Sequence, residues 1–280
     1  MAIRIVQSKQ NARVKELRAA LLHPGRSGAE SVALEGIHLV TEALLSGVEL
    51  GTVFVEQGHE NLLEELAISD SAETLVLPRK ILASALTTES LQPIAALAGT
   101  RRWAWPDLLS KTPSRALIVV LAGIQDPGNL GTILRSAEAF GASGVICLPG
   151  TVHPWNPKAM RASAGSIFRL PWISASEPNL FSHLHESGVR ILAAMVHGAK
   201  PVGEVDLNAP VAFLIGAEGG GVTNELAVNC DARVTIPCPG PVESLNAAVA
   251  ASVLLYEASR QRGLLHASNS PRASKGRRQT

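Results

Sequence analysis

The chain has 280 residues, of which 46% are hydrophobic and 18% charged, with a formal net charge of +1. That length allows two ordinary domains with a substantial core, and that composition excludes an intrinsically disordered protein. Cys147, Cys230 and Cys238 are widely spaced without a CxxC pair, which excludes a disulfide framework and a structural zinc site; the histidines form no ligand pattern either, so no metal is expected.

The opening MAIRIVQSKQNARVK lacks an apolar core of signal-peptide length, and apolar runs such as 116–122 are too short to span a membrane. A soluble, cytoplasmic protein is expected. Charge is distributed unevenly. In residues 1–26, Arg4, Lys9, Arg13, Lys15, Arg18 and Arg26 are set against Glu16 alone, whereas 27–78 contain acids and no Lys or Arg. Such segregation suits either a solvated helix face or a surface that meets a phosphate backbone.

In chain order, Ser8 is placed to cap a helix with Val14, Leu17 and Leu21 on one face and Arg13, Lys15 and Arg18 in water. Strands are expected at 32–34, 53–55, 74–77 and 93–98. They alternate with helices at 36–45 (Ile37, Val40 and Leu44 inward), 61–67 and 79–86, giving a small α/β unit over 1–98. Residues 99–115, GTRRWAWPDLLSKTPSR, break the pattern and read as a linker; its Trp103 and Trp105 could stack on bases or pack on a domain surface.

A second unit, 116–264, opens with the strand 117–121, β-branched and apolar enough to be buried on both faces, then a turn at 126–129 and a helix ended by Gly141. Further strands are expected at 144–148, from 171, at 190–196 and at 211–215, with a basic small-residue segment at 158–169 and a helix at 180–186. This alternation specifies a mainly parallel sheet with ligand sites beyond the carboxyl ends of its strands. Residues 265–280 carry Arg272, Lys275, Arg277 and Arg278 and no acid, and read as a disordered basic tail.

Three polar loops follow buried strands, at 126–131, 216–221 and 237–246, and in a parallel sheet they can converge on one edge. The glycines of the second would let backbone approach a ligand, but they match neither GxGxxG nor a phosphate loop ending GK[ST], which disfavours hydride transfer and nucleotide hydrolysis. In the third, Pro237, Pro239, Pro241 and Gly240 constrain the backbone after Val234 and Ile236. Ser244 is then suited to cap a helix carrying Leu245, Val249, Ser252, Val253 and Tyr256 at helical spacing. An ordinary strand-loop-helix is the plainer reading of that stretch alone.

The ordered set DPGNLGTILRSAEAFG (126–141), FLIGAEGGGV (213–222) and IPCPGPVESLNAAVAAS (236–252) resembles the three motifs of the SpoU family of SPOUT-class RNA ribose 2'-O-methyltransferases. IVQSKQNARVKELRAAL and ALEGIHLVTEALLSG resemble the small substrate-binding domain that precedes the catalytic domain in many members. The resemblance implies a deep trefoil knot, a homodimer whose active site forms at the subunit interface, and S-adenosylmethionine as cofactor. It places Asn129, Arg135, Glu218, Ser244 and Asn246 in the active site and Ala194, Met195, Gly216, Ile236 and Leu245 against the cofactor. RNA is then the partner, ribosomal RNA first and transfer RNA second, with Arg4, Lys9, Arg13, Lys15 and Arg26 as contacts. A non-catalytic RNA-binding homologue is the rival reading. The family assigns the Arg135 position as the base, but a guanidinium gives up its proton only with great difficulty. Arg135 is therefore read as holding RNA phosphate. The segment Thr88-Glu89-Ser90-Leu91-Gln92-Pro93 departs from the Gly-containing pattern of many members, which bears on the contact between the two units.

Overall fold

The computed structural model describes residues 3–25, 31–88, 90–109 and 115–266. The first unit contains β1 (Ile3–Ile5), α1 (Ala12–Leu22), β2 (Ser31–Glu35), α2 (Ile37–Leu45), β3 (Leu50–Glu56), α3 (Leu62–Glu65), β4 (Glu73–Leu77), α4 (Arg79–Ala85) and β5 (Ile94–Gly99). Its five strands form one mixed sheet in the order β1-β4-β3-β5-β2, with β5 antiparallel to both neighbours. β1 was not foreseen: its three residues are all exposed and show no alternation to read, and parallel pairing with β4 holds them.

After α5 (Trp105–Leu109) come β6 (Leu117–Ala122), α6 (Pro127–Ala139), β7 (Gly144–Cys147), α7 (Pro157–Ala162), α8 (Ser166–Arg169), β8 (Trp172–Ser174), α9 (Glu177–Glu186), β9 (Arg190–Ala194), β10 (Lys200–Pro201), β11 (Val211–Gly216), α10 (Asn224–Ala227), β12 (Ala232–Thr235) and α11 (Ala247–Gln261). The seven strands run β10-β12-β9-β11-β6-β7-β8, every pair parallel. The expected parallel α/β sheet is therefore present. Its central strands β6 and β11 are almost continuously apolar because both faces are covered. No helix among the described residues is long and apolar enough to cross a membrane.

Several local readings are corrected. Asn11, not Ser8, caps α1, its side chain accepting the Arg13 amide, though Val14, Leu17 and Leu21 are buried as expected. In α2 Val40 is buried with Leu39 and Ala43, and Leu44 packs partly buried against the core, while Ile37 is exposed. The "turn" at 126–129 is the start of α6: Asp126 caps it through the Asn129 amide, and Pro127 sits at its first turn, where no amide is needed. The stretch 99–115 contains a short helix, α5. α5 buries Leu108, and Trp105 stacks on His183 with ring centroids 4.4 Å apart. Of the expected tail, 265–280, residues 265 and 266 complete a 3-10 turn at Leu264–His266, and 267–280 lie outside the described residues, as does Glu89.

α11 is corrected twice. Asn246, not Ser244, is its N-cap, accepting from the amides of Ala248 and Val249. Its buried face is Ala247, Ala248, Ala251, Leu254, Leu255 and Ala258, whereas Val249 and Tyr256 are about half exposed. The small residues face inward because α11 lies close against α6, where the Ser136 and Ser252 hydroxyls meet at 2.7 Å.

The two units are tied together by Arg169. Its guanidinium donates to both oxygens of Glu138 on α6 (2.6 and 2.9 Å) and to Glu42 on α2 (2.7 Å). Close by, Glu35 is buried and accepts from the Thr87 amide and hydroxyl and from the Thr88 amide and hydroxyl. The segment that departs from the common pattern is thus anchored at its start by β2.

Candidate active site

β6 is a switch point of the second sheet, since β7 and β8 lie to one side of it and β11 to the other. In parallel α/β sheets a crevice opens at such a point beyond the carboxyl ends of the strands. The loop after β6 and the loop after β11 meet there. Asn129, in the first turn of α6, donates through Nδ2 to Glu218 Oε1 at 2.7 Å, and Asn246 Nδ2 donates to Asn129 Oδ1 at 3.1 Å. Three loops separated by up to 117 residues in sequence are joined by two side-chain hydrogen bonds.

Each member is positioned by its own element. Asn246 Oδ1 is committed to the α11 amides, so its Nδ2 must face Asn129. Asp126 Oδ1 accepts the Asn129 amide at 2.8 Å, and its other oxygen pairs with Lys158 at 3.2 Å. Partial burial pushes the Glu218 carboxyl up. The opposing hydrogen bonds, from the Asn129 side chain and from backbone amides including that of Gln125, together hold it below the usual carboxylate range. Glu218 is therefore an anion at neutral pH and an acceptor that fixes the Asn129 amide.

Of the five polar residues singled out, the structure brings Asn129, Glu218 and Asn246 together. Arg135 and Ser244 are not in that hydrogen-bonded run. Six residues along a helix turn a side chain by about 240°, and Arg135 is exposed with no hydrogen bond or ion pair among the described residues. Ser244 is exposed in the loop, without a hydrogen bond from its hydroxyl among the described residues.

Four of the five residues read as cofactor contacts lie at the carboxyl ends of the adjacent strands β12, β9 and β11. Ala194 ends β9, Met195 follows it, Gly216 ends β11, Ile236 follows β12 and Leu245 precedes the α11 cap. The glycine at 216 has a reason other than ligand approach. A Cβ there would lie 1.9 Å from the Gly221 carbonyl carbon, so the loop 217–221 folds back directly over it.

The N-terminal basic residues are less free than their clustering suggests. Arg4 pairs with Glu73 at 3.1 Å, and Arg13 pairs with both Glu73 and Glu16 at 2.8 Å. Lys9 and Lys15 are exposed, and Arg26 lies outside the described residues. The acids of 27–78 are distant from the basic stretch in sequence, but β4 lies beside β1 and brings Glu73 against the arginines.

A family model described as "SpoU rRNA Methylase family" matches residues 116–256, which hold all three converging loops. The chain belongs to the SpoU methylase family. An "MRM3-like substrate binding domain" matches residues 11–96 of this SpoU protein. An uncharacterized tRNA/rRNA methyltransferase of Synechocystis is 34% identical over 91% of the chain and 93% of its own length. The 23S rRNA (guanosine(2553)-2'-O)-methyltransferase RlmP of Bacillus subtilis is 30% identical over 90% and 97%. Among solved structures, the SpoU methyltransferase AviRb of Streptomyces viridochromogenes, in complex with AdoMet, superposes with TM-score 0.81 at 28% identity, covering 90% of this chain and 98% of that one. An AdoMet-bound rRNA methyltransferase of Sinorhizobium meliloti gives TM-score 0.81 at 30% identity, covering 92% and 98%.

This SpoU protein is an S-adenosylmethionine-dependent RNA methyltransferase. Its own residues fit that cofactor. Ala194, Met195, Ile236 and Leu245 are half-buried, an apolar floor left partly open, and no backbone amide of 237–245 donates a hydrogen bond among the described residues. Apolar walls with a few unspent backbone donors are what an adenosine with a polar tail requires.

Proposed function

We propose that this enzyme methylates a ribose 2'-hydroxyl of ribosomal RNA in the cytoplasm, with transfer RNA as the second substrate class. The ribosomal assignment is supported by the Bacillus subtilis relative, and the second class by the relatives named for both RNAs. The observation that carries the site is the Glu218–Asn129–Asn246 run across the mouths of β6 and β11.

S-adenosylmethionine, when bound, supplies a sulfonium methyl for in-line displacement. What the protein must add is alignment of the acceptor oxygen and removal of one proton. The two amides are suited to alignment. Each Asn Nδ2 carries two hydrogens and spends one within the run, so one N–H on each is left for the ribose or its phosphate. Glu218, held as an anion by its hydrogen bonds, acts as the orienter of Asn129. Arg135, an exposed guanidinium, is assigned to substrate phosphate, and Ser244 to a further hydrogen bond from its loop.

The reading extends to assembly. Val249 and Tyr256 on α11, with Val242, Leu264 and Leu265, leave apolar surface exposed, which supports a homodimer built on this face. Residues 1–98 then serve as the RNA-binding domain, 99–115 as the connection and 116–264 as the catalytic domain with the knotted SPOUT topology. Transfer of a labelled methyl group to in vitro transcribed 23S ribosomal RNA, followed by mapping of the modified nucleotide, tests the function. Label at one ribose is expected. Label on a base, or none on any RNA while S-adenosylmethionine still binds, would overturn the reading.

A further inference from the structure

A cleft of about 360 Å³ lies where residues 20–25 and 31–32 of the first unit, the connecting residues 100–103 and the segments 153–155 and 172–174 of the second unit meet. None of the residues assigned to methyl transfer or cofactor binding lines it. Its size is in the range of small-ligand sites.

Its walls are cationic and aromatic. Among the described residues no Asp or Glu lines it, and Arg101 and Arg102 are exposed and form no ion pair. The Arg101 guanidinium carbon lies over the Trp103 ring, 3.9 Å from its centroid, so the two side chains form one platform. His153 and Trp172, also in its lining, are perpendicular with centroids 5.8 Å apart, and Trp155 meets Trp172 at 5.3 Å. Burial pushes the His153 pKa down, so this wall is neutral at pH 7 and the positive charge is concentrated on the two arginines. The two linker tryptophans therefore have different roles: Trp105 is spent on His183, whereas Trp103 faces the cleft.

The cleft is also continuous with the catalytic edge. A neighbouring groove shares His153 and Ser174 with it and runs past Thr151 over the carboxyl ends of β7 and β8. The Thr151 hydroxyl accepts the Gly123 amide at 3.1 Å, just beyond β6 and three residues before Asp126.

We propose that this cleft receives an unstacked nucleotide of the substrate RNA, at a position along the strand away from the methylated ribose. The base stacks on the Trp103–Arg101 platform, and Arg101 and Arg102 hold the flanking phosphates. An acid-free arginine pair complements a phosphate backbone, and aromatic and guanidinium planes take splayed bases whatever their identity. The proposal rests on the RNA-substrate reading above.

The test is filter binding of radiolabelled 23S ribosomal RNA transcript to the full chain over a range of salt. Stacking of one base on an aromatic side chain corresponds to a loss of about five-fold or more in affinity for Trp103→Ala, with Trp103→Phe close to wild type. The double variant Arg101→Ala/Arg102→Ala should flatten the log K against log[salt] slope by about 1.4, two single-strand phosphate contacts. Trp105→Phe should bind as wild type, and S-adenosylmethionine affinity should be unchanged in all four. Because Arg101 and Arg102 are exposed, the double variant folds even if Trp103→Ala does not. Wild-type affinity and salt slope in the double variant would overturn the cleft assignment alone; failure of the wild-type chain to retain the RNA would overturn it together with the RNA reading.

Discussion

At the scale of single residues, Asn246 has two separable roles. It caps α11 and it donates to Asn129. Ser caps a helix about as well as Asn but is too short to donate to Asn129. Asn246→Ser should therefore leave the melting temperature within about 2 °C of wild type, as expected for a cap change of a few tenths of a kcal/mol, while lowering kcat/KM on the order of ten-fold or more. A parallel loss of stability and activity would show the residue to be structural. Glu218 makes a pH prediction. Its folded pKa is depressed, so its contribution is fully present above the unfolded value of about 4.3 and is lost only as pH falls through the lower folded value. Between pH 5 and 8, Glu218→Gln should show the wild-type pH–rate limbs at reduced rate. An acid limb in that window that vanishes in Glu218→Gln would make Glu218 the base. The polar identities at this site were legible from the three motifs. The capping assignment was not, because Ser244 and Asn246 are both good caps and only the backbone reveals which one precedes the first helical turn.

At the scale of elements, the strands buried on both faces, β6 and β11, could be read directly from their apolar runs, and the parallel sheet followed from their alternation with helices. Helix faces were harder. The large residues Val249 and Tyr256 suggested a stripe, yet the inner face of α11 is made by Ala247, Ala248, Ala251 and Ala258 with Leu254 and Leu255, and small residues meet where Ser252 reaches Ser136 of α6. The same physics explains Gly131 within the first motif. A Cβ there would lie 2.4 Å from the Ala159 carbonyl and 2.5 Å from the Ala162 Cβ, so α6 and α7 are in backbone contact at that point. Gly131→Ala should destabilise the protein by about 3 kcal/mol, the upper range of overpacking, measured by urea unfolding. A gain in stability, as helix propensity alone would give, would refute that packing. Arg262 gave no signal in the sequence at all. It is buried just past α11 and donates to the carbonyls of Arg115, Ala116, Leu207 and Ala209, pinning the last helix to the first strand of its sheet.

At the scale of the whole molecule, charge segregated along the chain is not segregated in space, because folding places Glu73 against Arg4 and Arg13. Contacts between units depend on residues far apart in sequence. Arg169 joins α2 to α6 through partly buried carboxylates, which hold it more firmly protonated than a free guanidinium. Arg169→Ala should cost about 2 kcal/mol, the scale of hydrogen bonds to charged groups, and should loosen the first unit, seen as faster amide exchange in β2 and α2. Unchanged exchange there would mean that the units are held by apolar contact alone.

The central claim is that Asn129, fixed by Glu218 and Asn246, aligns the acceptor hydroxyl at the mouth of β6. It is tested most directly by single-turnover methyl transfer to 23S ribosomal RNA transcript by wild type and Asn129→Ala, with S-adenosylmethionine and RNA affinities measured on the same preparations. The account predicts a rate at least ten-fold lower with both affinities within about three-fold of wild type, since lost alignment raises the barrier to the chemical step. An Asn129→Ala enzyme that turns over at the wild-type rate would contradict it.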